Sequence, residues 1–543
     1  MNHLVLLPIL LPMFCGAALT MLPSRWRARS RLVDLAATLA LIPVAAVLAV
    51  LADDGVIRTY DLGDWPAPFG ILLQLDRLAA LMLALTALLG TAALLSVRTP
   101  EAQAGRHFHA IFQFQLMGLN GAFLAGDLFN LFVFFEILLM ASYALLVHGN
   151  DRGRVGAGLH YVVLNLVGSS FFLIAIGILY GLTGTLNMAH LGERLLALGP
   201  ASLPLANTAA VMLMLVFALK AAVFPLGFWL PRAYGEAAGP VAALFAVMTK
   251  VGVYAMLRSQ ALLFDAGRAD FSRFFEQGFW WLGLATLVYG SAGTLAARTM
   301  KSLTACLVLV SMGLLLAAMS LQTPGAWSAL LYYLASTTLS TAALFLLADA
   351  VEAQPGRVAS RLTAVLYLLA AIAVAGLPPL SGFVGKMLLM QAAPTGHAWH
   401  GAPVFWTAVV LSSLAAIVAV SRTGSRLLWR GPAAASAQAR RTTRSTSSDP
   451  DADDAPLPAR ADPAKLLGAM LLLASVVGLV VGARPLVRYL DATALQLLDR
   501  PSYARAILGH ADPHPEGMGD GAQHGQERYK PQEVTEKPWE QRP

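Results

Sequence analysis

Residues 207–258 read NTAAVMLMLVFALKAAVFPLGFWLPRAYGEAAGPVAALFAVMTKVGVYAMLR, which is two apolar segments joined by a short polar turn. Each segment is long enough to cross a bilayer as a helix, and each carries one lysine near its middle, Lys220 and Lys250. A lysine at mid-bilayer depth costs about 2.5–3.5 kcal/mol, so such lysines are rare and usually functional. Pro225 breaks the first helix and frees the carbonyl of Ala221, which hydrocarbon cannot satisfy. This stretch therefore predicts an ion path through a membrane.

Composition places the whole chain among polytopic membrane proteins. Its 543 residues are 57% apolar and 13% charged, and the mean hydropathy is +0.64. The formal charge of +7 comes largely from arginines in loops, so it does not indicate nucleic-acid binding. The two cysteines, Cys15 and Cys306, lie in apolar runs without metal-ligand spacing and are interpreted as buried structural residues. No metal and no cofactor are expected.

Apolar runs predict an all-α membrane protein with about 14 transmembrane helices. The approximate limits are 3–22, 32–51, 77–96, 108–126, 128–148, 160–181, 208–229, 240–257, 279–296, 302–320, 328–348, 363–392 (interrupted), 404–421 and 466–483. Arginines crowd the first loop and every second loop after it, whereas the other loops hold fewer cations, among which Arg258 is counted. The positive-inside rule therefore places the arginine-rich loops in the cytoplasm and predicts that both termini lie outside.

Several segments are set apart from the central spans. Residues 1–107 form amino-terminal flanking helices, and residues 464–510 hold the last span with a short interfacial helix, Ala494 to Leu508. Residues 431–463 are rich in Ala, Ser, Asp and Pro, which predicts a disordered cytoplasmic linker. Residues 511–543 are polar and are interpreted as a flexible tail. None of these segments carries recognisable chemistry.

Glu136 is one of the few ionisable residues inside a predicted span. It lies eight residues, roughly 12 Å, into its helix, and its own face offers no cation. An unpaired carboxylate there would protonate, so an ionised Glu136 needs a cation from another helix, for which Lys220 is the best candidate. A static ion pair that fixes helix packing is the alternative. Asp127 precedes it by nine residues, on the opposite face, and is interpreted as a structural residue at the membrane boundary.

A third lysine, Lys386, lies in a second interrupted helix. Pro378 and Pro379 free the carbonyls of Val374 and Ala375 just before it. Paired interrupted helices in two parts of a chain are typical of transporters built from inverted repeats. The alternative is that Lys386 extends from a short span to the membrane surface.

Histidine is absent from the interiors of the predicted spans, so a proton path would use lysines, the glutamate, hydroxyls and water. One hydroxyl-rich span, YYLASTTLSTAALFLLAD, supplies Ser336, Thr337, Thr338, Ser340 and Thr341. Such residues more often bond their own backbone or hold helices together than form a water wire. Both interpretations stay open from sequence.

Three motifs carry a resemblance to a known family: LFVFFEILLMASYALL, FALKAAVFPLGFWLPRAY and AGLPPLSGFVGKMLLM. They resemble the proton-translocating antiporter family, which includes antiporter-like membrane subunits of respiratory complex I and the large subunits of Mrp-type (Mnh, Pha or Sha) cation/proton antiporters. The overall length, the WLPRAY loop and the closing YARAILG segment are most similar to D subunits of the Mrp type. The resemblance covers residues 75–425.

This resemblance implies two inverted five-helix repeats, at residues 108–257 and 279–421. It implies a glutamate–lysine pair at Glu136 and Lys220, a bridging lysine at Lys250 and a second-half lysine at Lys386. The chain departs from many relatives in having tyrosine at position 234 and hydroxyls at 336–341, where relatives carry basic residues. The centre of the implied proton relay is therefore less basic than in those relatives.

The sequence thus predicts a proton-conducting subunit of a multisubunit Na⁺(K⁺)/H⁺ antiporter in a bacterial inner membrane. It would be a secondary transporter and no enzyme, with other membrane subunits, lipid, protons and monovalent cations as partners. The alternative is a proton-pumping membrane subunit of an NADH:quinone oxidoreductase, whose redox centres would lie on other chains. A stand-alone solute permease is disfavoured because no polar cluster suits an organic substrate.

Overall fold

The computed structural model describes residues 2–22, 27–65, 67–68, 70–97, 107–149, 151–264, 269–352, 360–393, 401–428 and 463–509. The α-helices are α1 (Leu7–Met21), α2 (Arg27–Ala52), α3 (Arg77–Ser96), α4 (Phe108–Leu124), α5 (Leu128–Leu146), α6 (Arg152–Thr183), α7 (Met188–Leu196), α8 (Leu203–Lys220), α9 (Trp229–Glu236), α10 (Gly239–Ser259), α11 (Ala269–Ala296), α12 (Met300–Met319), α13 (Pro324–Glu352), α14 (Arg361–Ala375), α15 (Ser381–Gln391), α16 (Ala402–Leu428), α17 (Leu467–Val481), α18 (Ala483–Leu498) and α19 (Arg500–Leu508). Short 3₁₀ helices span Asn2–Leu6, Leu62–Asp64, Pro200–Ser202, Leu226–Phe228 and Pro463–Leu466, and a π-helix spans Gln260–Phe264.

One small sheet marks one end of the helical bundle. Strands β1 (Arg58–Asp61) and β2 (Leu72–Leu75) pair antiparallel between α2 and α3. Single bridges then join Leu73 to Ala125 and Asp127 to Asn187, so the loops after α4 and α6 lie at the same end. We call this end the hairpin face. It is the side that the positive-inside rule predicts to lie outside the cell.

The predicted class, an all-α polytopic membrane protein, is confirmed. Within the described residues, ten helices are long and apolar enough to cross a membrane, and α17 with α18 forms a further candidate bent by 82°. The remaining predicted spans fall on α4, α11, the α14–α15 pair and α17. Helices α4 and α14 are short, with 17 and 15 residues. The count of about 14 spans, the two-repeat boundaries and the orientation of the termini therefore stay predictions.

Burial separates central from peripheral helices. Every residue of α10 is buried, and so is the apolar stretch of α13, whereas most of α1, α2, α6 and α16 faces outward. Lipid is as apolar as a leucine side chain, so helices in a membrane associate through close packing and hydrogen bonds instead of hydrophobic burial. Alanine, glycine and hydroxyl residues are accordingly frequent in the two central helices. This is the region that holds the predicted ion path.

Close backbone packing joins α11 to α12. A methyl group added at Gly283 would come within 2.7 Å of the Ala317 nitrogen, and one at Gly313 within 2.6 Å of the Leu287 nitrogen. Larger side chains at these glycines would force the helices apart, as is usual for small residues at membrane helix interfaces.

The carboxyl-terminal prediction needs one correction. The last span ends at Val481, and an amphipathic helix begins at once with Ala483, eleven residues before the predicted interfacial helix at Ala494. The chain bends by 82° between α17 and α18, and we call α18 and α19 together the surface segment, whose interfacial position stays a prediction. Almost all of the predicted linker 431–463, and the tail 511–543, lie outside the described residues.

Candidate functional site

The first helix break begins at the lysine itself. Helix α8 ends at Lys220, so Pro225 lies in a non-helical link, and the predicted break at Pro225 begins five residues earlier than the proline indicated. The amide of Phe224 in the link donates to Thr286 Oγ1 on α11 (2.9 Å), and the Trp229 indole donates to the Leu219 carbonyl (3.2 Å). Neighbouring side chains thus satisfy backbone groups that a continuous helix would have paired.

Helix α6 connects Glu136 with Lys220. The Lys220 ammonium donates to Asn165 Oδ1 (3.2 Å), and the Ser169 hydroxyl donates to Glu136 Oε1. Asn165 and Ser169 lie one helical turn apart on the same face of α6. No ion pair within 4.0 Å joins Glu136 to Lys220 in the part of the chain that the structure describes. The two predicted partners therefore contact neighbouring polar side chains of α6 instead of each other, and we call Asn165 and Ser169 the polar bridge.

Sequence inspection missed this bridge. Asn165 and Ser169 are polar residues at i and i+4 in an otherwise apolar helix, and that spacing was the available signal. It was weak, because hydroxyl and amide side chains in membrane helices often serve packing alone.

Lys250 lies at the centre of the bundle and is fully buried. Its ammonium lies 3.3 Å from Ser311 Oγ, 3.4 Å from Thr249 Oγ1 and 3.6 Å from Met312 Sδ. Gly252, two residues later, packs against the end of α8, since a methyl group there would lie 2.7 Å from the Ala221 nitrogen. The helix that carries Lys250 therefore lies directly against the break that follows Lys220.

The second break matches its prediction closely. Helix α14 ends at Ala375 and α15 begins at Ser381, so the link includes both predicted prolines. The Lys386 ammonium reaches back to the carbonyls of Ala375 (2.9 Å) and Val374 (3.4 Å), the two acceptors that the prolines free, and to Ser413 Oγ on α16 (2.9 Å). Lys386 is buried, so it does not extend to the surface.

The hydroxyl-rich helix α13 lies between the helices that carry Lys250 and Lys386, because it packs against both α10 and α15. Thr338, Ser340 and Thr341 each donate to a carbonyl one turn earlier in their own helix. Ser336 differs, since its hydroxyl lies 2.7 Å from that of Ser381 at the start of α15. Most of these hydroxyls thus satisfy their own backbone, and Ser336 joins two helices.

Residues interpreted as structural occupy structural places. Asp127 caps α5 by accepting from the amide of Asn130 (2.6 Å). Tyr234, noted in the sequence only as a departure from the implied family pattern, donates its hydroxyl proton to a carbonyl of α10 (2.7 Å). Cys306 is buried and Cys15 half-buried, and neither forms a disulfide. Within the described ranges, no group of three metal-ligating side chains comes together.

Arg258 was counted among loop arginines, and this was wrong. It is buried at the end of α10 and forms an ion pair with Asp76, with Nη2 to Oδ1 at 2.9 Å and a second contact from Nη1 to Oδ2. Asp76 also caps α3 by accepting from the amide of Ala79 (2.8 Å). An acidic residue just before an apolar run signals a helix cap, but the sequence carries no sign of its distant arginine.

A second buried acid was also missed. Asp34 on α2 contacts His109 on α4, with Oδ2 and Nδ1 2.5 Å apart, and accepts from Gln113 Nε2 (2.6 Å). His109 stands at the start of its helix, as predicted, yet it is buried there against α2. This cluster joins the flanking helix α2 to α4, the first helix of the predicted first repeat, and is far in sequence from the three lysines.

Comparison with known proteins identifies the family. The family model described as "NADH:quinone oxidoreductase/Mrp antiporter, TM" matches residues 125–413. The chain is 38% identical to the D subunit of a probable K⁺/H⁺ antiporter of Rhizobium meliloti (strain 1021), over 94% of this chain and 98% of that protein. It is 35% identical to the D subunit of a Na⁺/H⁺ antiporter of Bacillus subtilis (strain 168), over 79% of this chain and 87% of that protein.

The fold is likewise similar to that of a solved transporter complex. A chain of the Mrp complex from Dietzia sp. DQ12-45-1b superposes with a TM-score of 0.80 and 27% identity, over 94% of this chain and 99% of that one. The names of the curated relatives describe transporters and distinguish this chain from the redox complexes that the same family model covers. The chain belongs to the family of D subunits of Mrp-type multisubunit cation/proton antiporters.

Proposed function

We propose that this chain is the proton-conducting subunit of its antiporter complex and that Glu136, Lys220, Lys250 and Lys386 form a buried proton relay. One observation supports this most. All three lysines are buried, and the hydrogen-bond partners of their ammonium groups are uncharged: an amide oxygen, hydroxyls, a thioether and backbone carbonyls. A lysine that serves only to hold helices together would gain more from a carboxylate, because a buried charge is costly unless it is paired.

Uncharged partners suit a group that gains and loses a proton. The oxygens of Asn165 and Ser311 accept from an ammonium, and the Ser311 hydroxyl can rotate to donate to a neutral amine. Lys250 therefore keeps a hydrogen-bond partner in both its protonated and its neutral state. Proton transfer then requires little rearrangement of the surrounding side chains. A direct carboxylate contact would hold the proton on the lysine instead.

In the first half, Glu136 acts on Lys220 from a distance. The Ser169 hydroxyl donates to the Glu136 carboxylate, and Asn165 accepts from the Lys220 ammonium. Asn165 and Ser169 lie on one face of α6. A proton or cation arriving near Glu136 would weaken the field that favours a charged Lys220. The proton of Lys220 would then pass toward Lys250, whose helix packs against the break.

From the centre, the proposed route continues to the second half. Helix α13 separates Lys250 from Lys386, and the Ser336–Ser381 contact provides a hydroxyl pair across that boundary. Lys386 would accept the proton because two carbonyls and a hydroxyl already face its nitrogen. Water would complete the intervals between these groups, as is usual in polar membrane interiors.

The setting of this function is proposed from the relatives. One is named for K⁺/H⁺ and one for Na⁺/H⁺ exchange, and both are named as subunits. We therefore propose that other membrane subunits flank this chain in a bacterial inner membrane, with both of its termini outside. The chain would conduct protons in exchange for a monovalent cation.

The test is Lys220→Ala in the complete complex, expressed with its partner subunits in a bacterial host that lacks its own antiporters. In membrane vesicles, addition of Na⁺ or K⁺ should collapse a preformed pH gradient with the wild-type complex and fail to do so with Lys220→Ala. Lys301→Ala is the matched control. Lys301 lies at the start of α12, outside the proposed relay; its removal breaks an ion pair with Asp349 (3.6 Å), and Asp349 keeps Lys465 as a partner. Co-purification must show that both variants assemble.

Full antiport by an assembled Lys220→Ala complex would refute the relay. The same vesicles separate an antiporter from an NADH-driven pump. The antiporter responds to added cation without NADH, and a pump would generate the gradient when NADH is oxidised.

A further inference from the structure

A cavity of about 660 Å³ opens at the hairpin face. One wall is formed by the segment that precedes β1 and by the start of α3, and the other by α18 and α19. Its polar lining includes Arg77, Gln496, Asp499, Ser502 and Tyr503. Helix α18 is held in place here, because Gln496 Nε2 donates to the Gly55 carbonyl (2.9 Å) and the Tyr489 hydroxyl to the Arg77 carbonyl (2.9 Å). The surface segment thus forms a wall of the cavity.

Tyr503 stands between this cavity and the buried ion pair. It lines the cavity, its hydroxyl donates to Gln74 Oε1, and its ring lies 5.9 Å from the Arg258 guanidinium carbon. Arg258 in turn pairs with Asp76 at 2.9 Å, and both are buried. Displacing one tyrosine side chain would therefore connect the cavity with a charged pair inside the bundle.

A line of polar side chains runs from that pair toward the centre. Arg258 Nη2 donates to the Tyr254 hydroxyl (2.9 Å), and Lys250 lies one further turn along α10. Positions i, i+4 and i+8 lie on one side of a helix, so these three residues form a polar stripe roughly 12 Å long. The stripe lies between the cavity and the middle lysine of the proposed relay, and water would have to complete the interval from Tyr254 to Lys250.

Buried polar atoms without partners lie at the same end of α10 as Arg258. Arg258 Nε, Ser259 Oγ and both side-chain polar atoms of Gln260 have no hydrogen-bond partner within the described residues. Gln260 also begins the π-helix, a distortion that is frequent at functional sites. Polar groups at this depth need partners, and ordered water supplies them where the protein does not. The end of α10 therefore has the chemistry of a hydrated site.

We propose that this cavity is the outer mouth of the proton path and that Tyr503, with the Asp76–Arg258 pair, forms its inner gate. The ligand class is water and the protons it carries. A bare monovalent cation is disfavoured, because the Asp76 carboxylate at the floor is already paired with Arg258, whereas the Tyr503 and Tyr254 hydroxyls can pass protons. The inference rests on the proposed function, since it takes Lys250 to be part of the relay.

Two neighbouring residues of α19 allow a sharp test of the mouth. Ala506 lines the cavity, whereas Arg505 is exposed and does not line it. In a complex that carries Cys15→Ser and Cys306→Ser and still transports, Ala506→Cys and Arg505→Cys are each treated from outside with a bulky, membrane-impermeant methanethiosulfonate. Antiport should fall about tenfold for Ala506→Cys and stay within about twofold for Arg505→Cys and for the treated parent, since a group in a pore mouth blocks it.

Three results would each overturn the assignment of this cavity as the outer mouth. They are equal losses of antiport in the two modified cysteine variants, no loss in either, and reaction of Ala506→Cys from the cytoplasmic side alone. The antiport rate of the Lys220→Ala complex tests the relay independently of the outer mouth. If Lys220→Ala is inactive but the modified Ala506→Cys complex transports normally, the mouth is wrong and the relay stands. If Lys220→Ala transports, the relay is wrong whatever the cysteines show.

The gate has its own test in Tyr503→Phe, which removes the bond to Gln74 and keeps the ring over Arg258. We expect a pH gradient to decay about threefold faster without added cation, because a gate that closes less tightly leaks protons. Tyr489→Phe is the matched control, since it removes a hydroxyl bond between α18 and the opposite wall. A Tyr503→Phe complex that leaks no faster than Tyr489→Phe would overturn the gate.

Discussion

The two broken helices hold their lysines by different means. In the first, Lys220 is the last residue of α8 and its partner is a side chain, Asn165, with the Glu136 carboxylate one step beyond. In the second, Lys386 lies in α15 and reaches back to two carbonyls at the end of α14. The Lys220 ammonium thus donates to a side chain on a neighbouring helix, and the Lys386 ammonium donates to backbone carbonyls.

This difference indicates that the two halves are not interchangeable. The carboxyl end of a helix carries a partial negative charge, which acts on Lys220 at the end of α8 and on Lys386 beside the end of α14, but only Lys386 donates directly to the carbonyls there. Stabilisation by these carbonyls is permanent, whereas the field of Glu136 changes when a proton or cation comes near it. We therefore expect the first half to respond to the exchanged ion and the second half to act as a fixed acceptor.

The largest expected effect is at Glu136. Glu136→Gln keeps the shape and removes the charge, and we expect antiport to fall about 100-fold, the upper range for a charged hydrogen-bonded group. Glu276→Gln on α11 is the control and should transport normally. Rates of cation-induced gradient collapse in vesicles measure both. Normal transport by Glu136→Gln would remove the proposed asymmetry between the halves.

At the second break, antiport should depend most on the backbone conformation at the end of α14. Gly376 ends α14 with φ +79°, and a methyl group there would lie 2.6 Å from Lys386 Cδ and 2.9 Å from its nitrogen. Gly376→Ala should lower antiport about 20-fold, because losing a hydrogen bond to a charged group costs about 1.5–3 kcal/mol. Rates of gradient collapse in vesicles at matched expression measure the loss.

Two variants complete that comparison. Gly177→Ala on α6 meets nothing within 4 Å and should be silent. The first break already carries a side chain at a positive φ, Ala222 (+56°), so Ala222→Gly should also transport normally. A silent Gly376→Ala would show that Lys386 is not held by the end of α14.

Side-chain partners should matter more in the first half. Asn165→Ala removes the hydrogen-bond acceptor of Lys220, and we expect a loss of about tenfold, whereas Ser413→Ala leaves Lys386 its two carbonyls and should cost about twofold. Steady-state antiport rates at matched expression measure the pair. Equal losses would contradict the distinction between side-chain and backbone support.

The smallest effect is expected in α13. Ser336→Ala breaks the contact with Ser381 and should slow antiport about twofold, near the lower range for one neutral hydrogen bond. Thr341→Val is the control, because the Thr341 hydroxyl donates to carbonyls of its own helix. Both are measured as initial rates of cation-induced gradient collapse. A large loss in Thr341→Val would instead favour a water wire along the whole helix.

Local signals predicted most of the architecture. Hydropathy located the helices, and the Pro378–Pro379 pair identified the two carbonyls that Lys386 contacts. The same logic placed the first break five residues too late, because Pro225 is the visible breaker while the helix already ends at Lys220. A proline marks where a helix cannot continue, and the helix is free to end earlier if neighbouring side chains satisfy its backbone.

Long-range pairing was beyond those signals. Arg258 was placed in a loop because a charged residue near a span end usually faces water, but Asp76 lies 182 residues away in sequence and meets it inside the bundle. Asp34 and His109 were passed over for the same reason. Burial of a charge depends on a partner, and a partner on another helix leaves no periodic trace near the residue it satisfies.

Hydropathy, prolines and the three motifs determined the membrane class, the two interrupted helices and the identities of the buried lysines, because each is a property of a short segment in hydrocarbon. The partner of each lysine was decided by packing: Asn165 for Lys220, Ser311 for Lys250, and the end of α14 for Lys386. Close approach of α10 to the first break, at Gly252, then placed the middle lysine beside it. Such contacts depend on how whole helices fit against one another, and that information is spread over the entire chain.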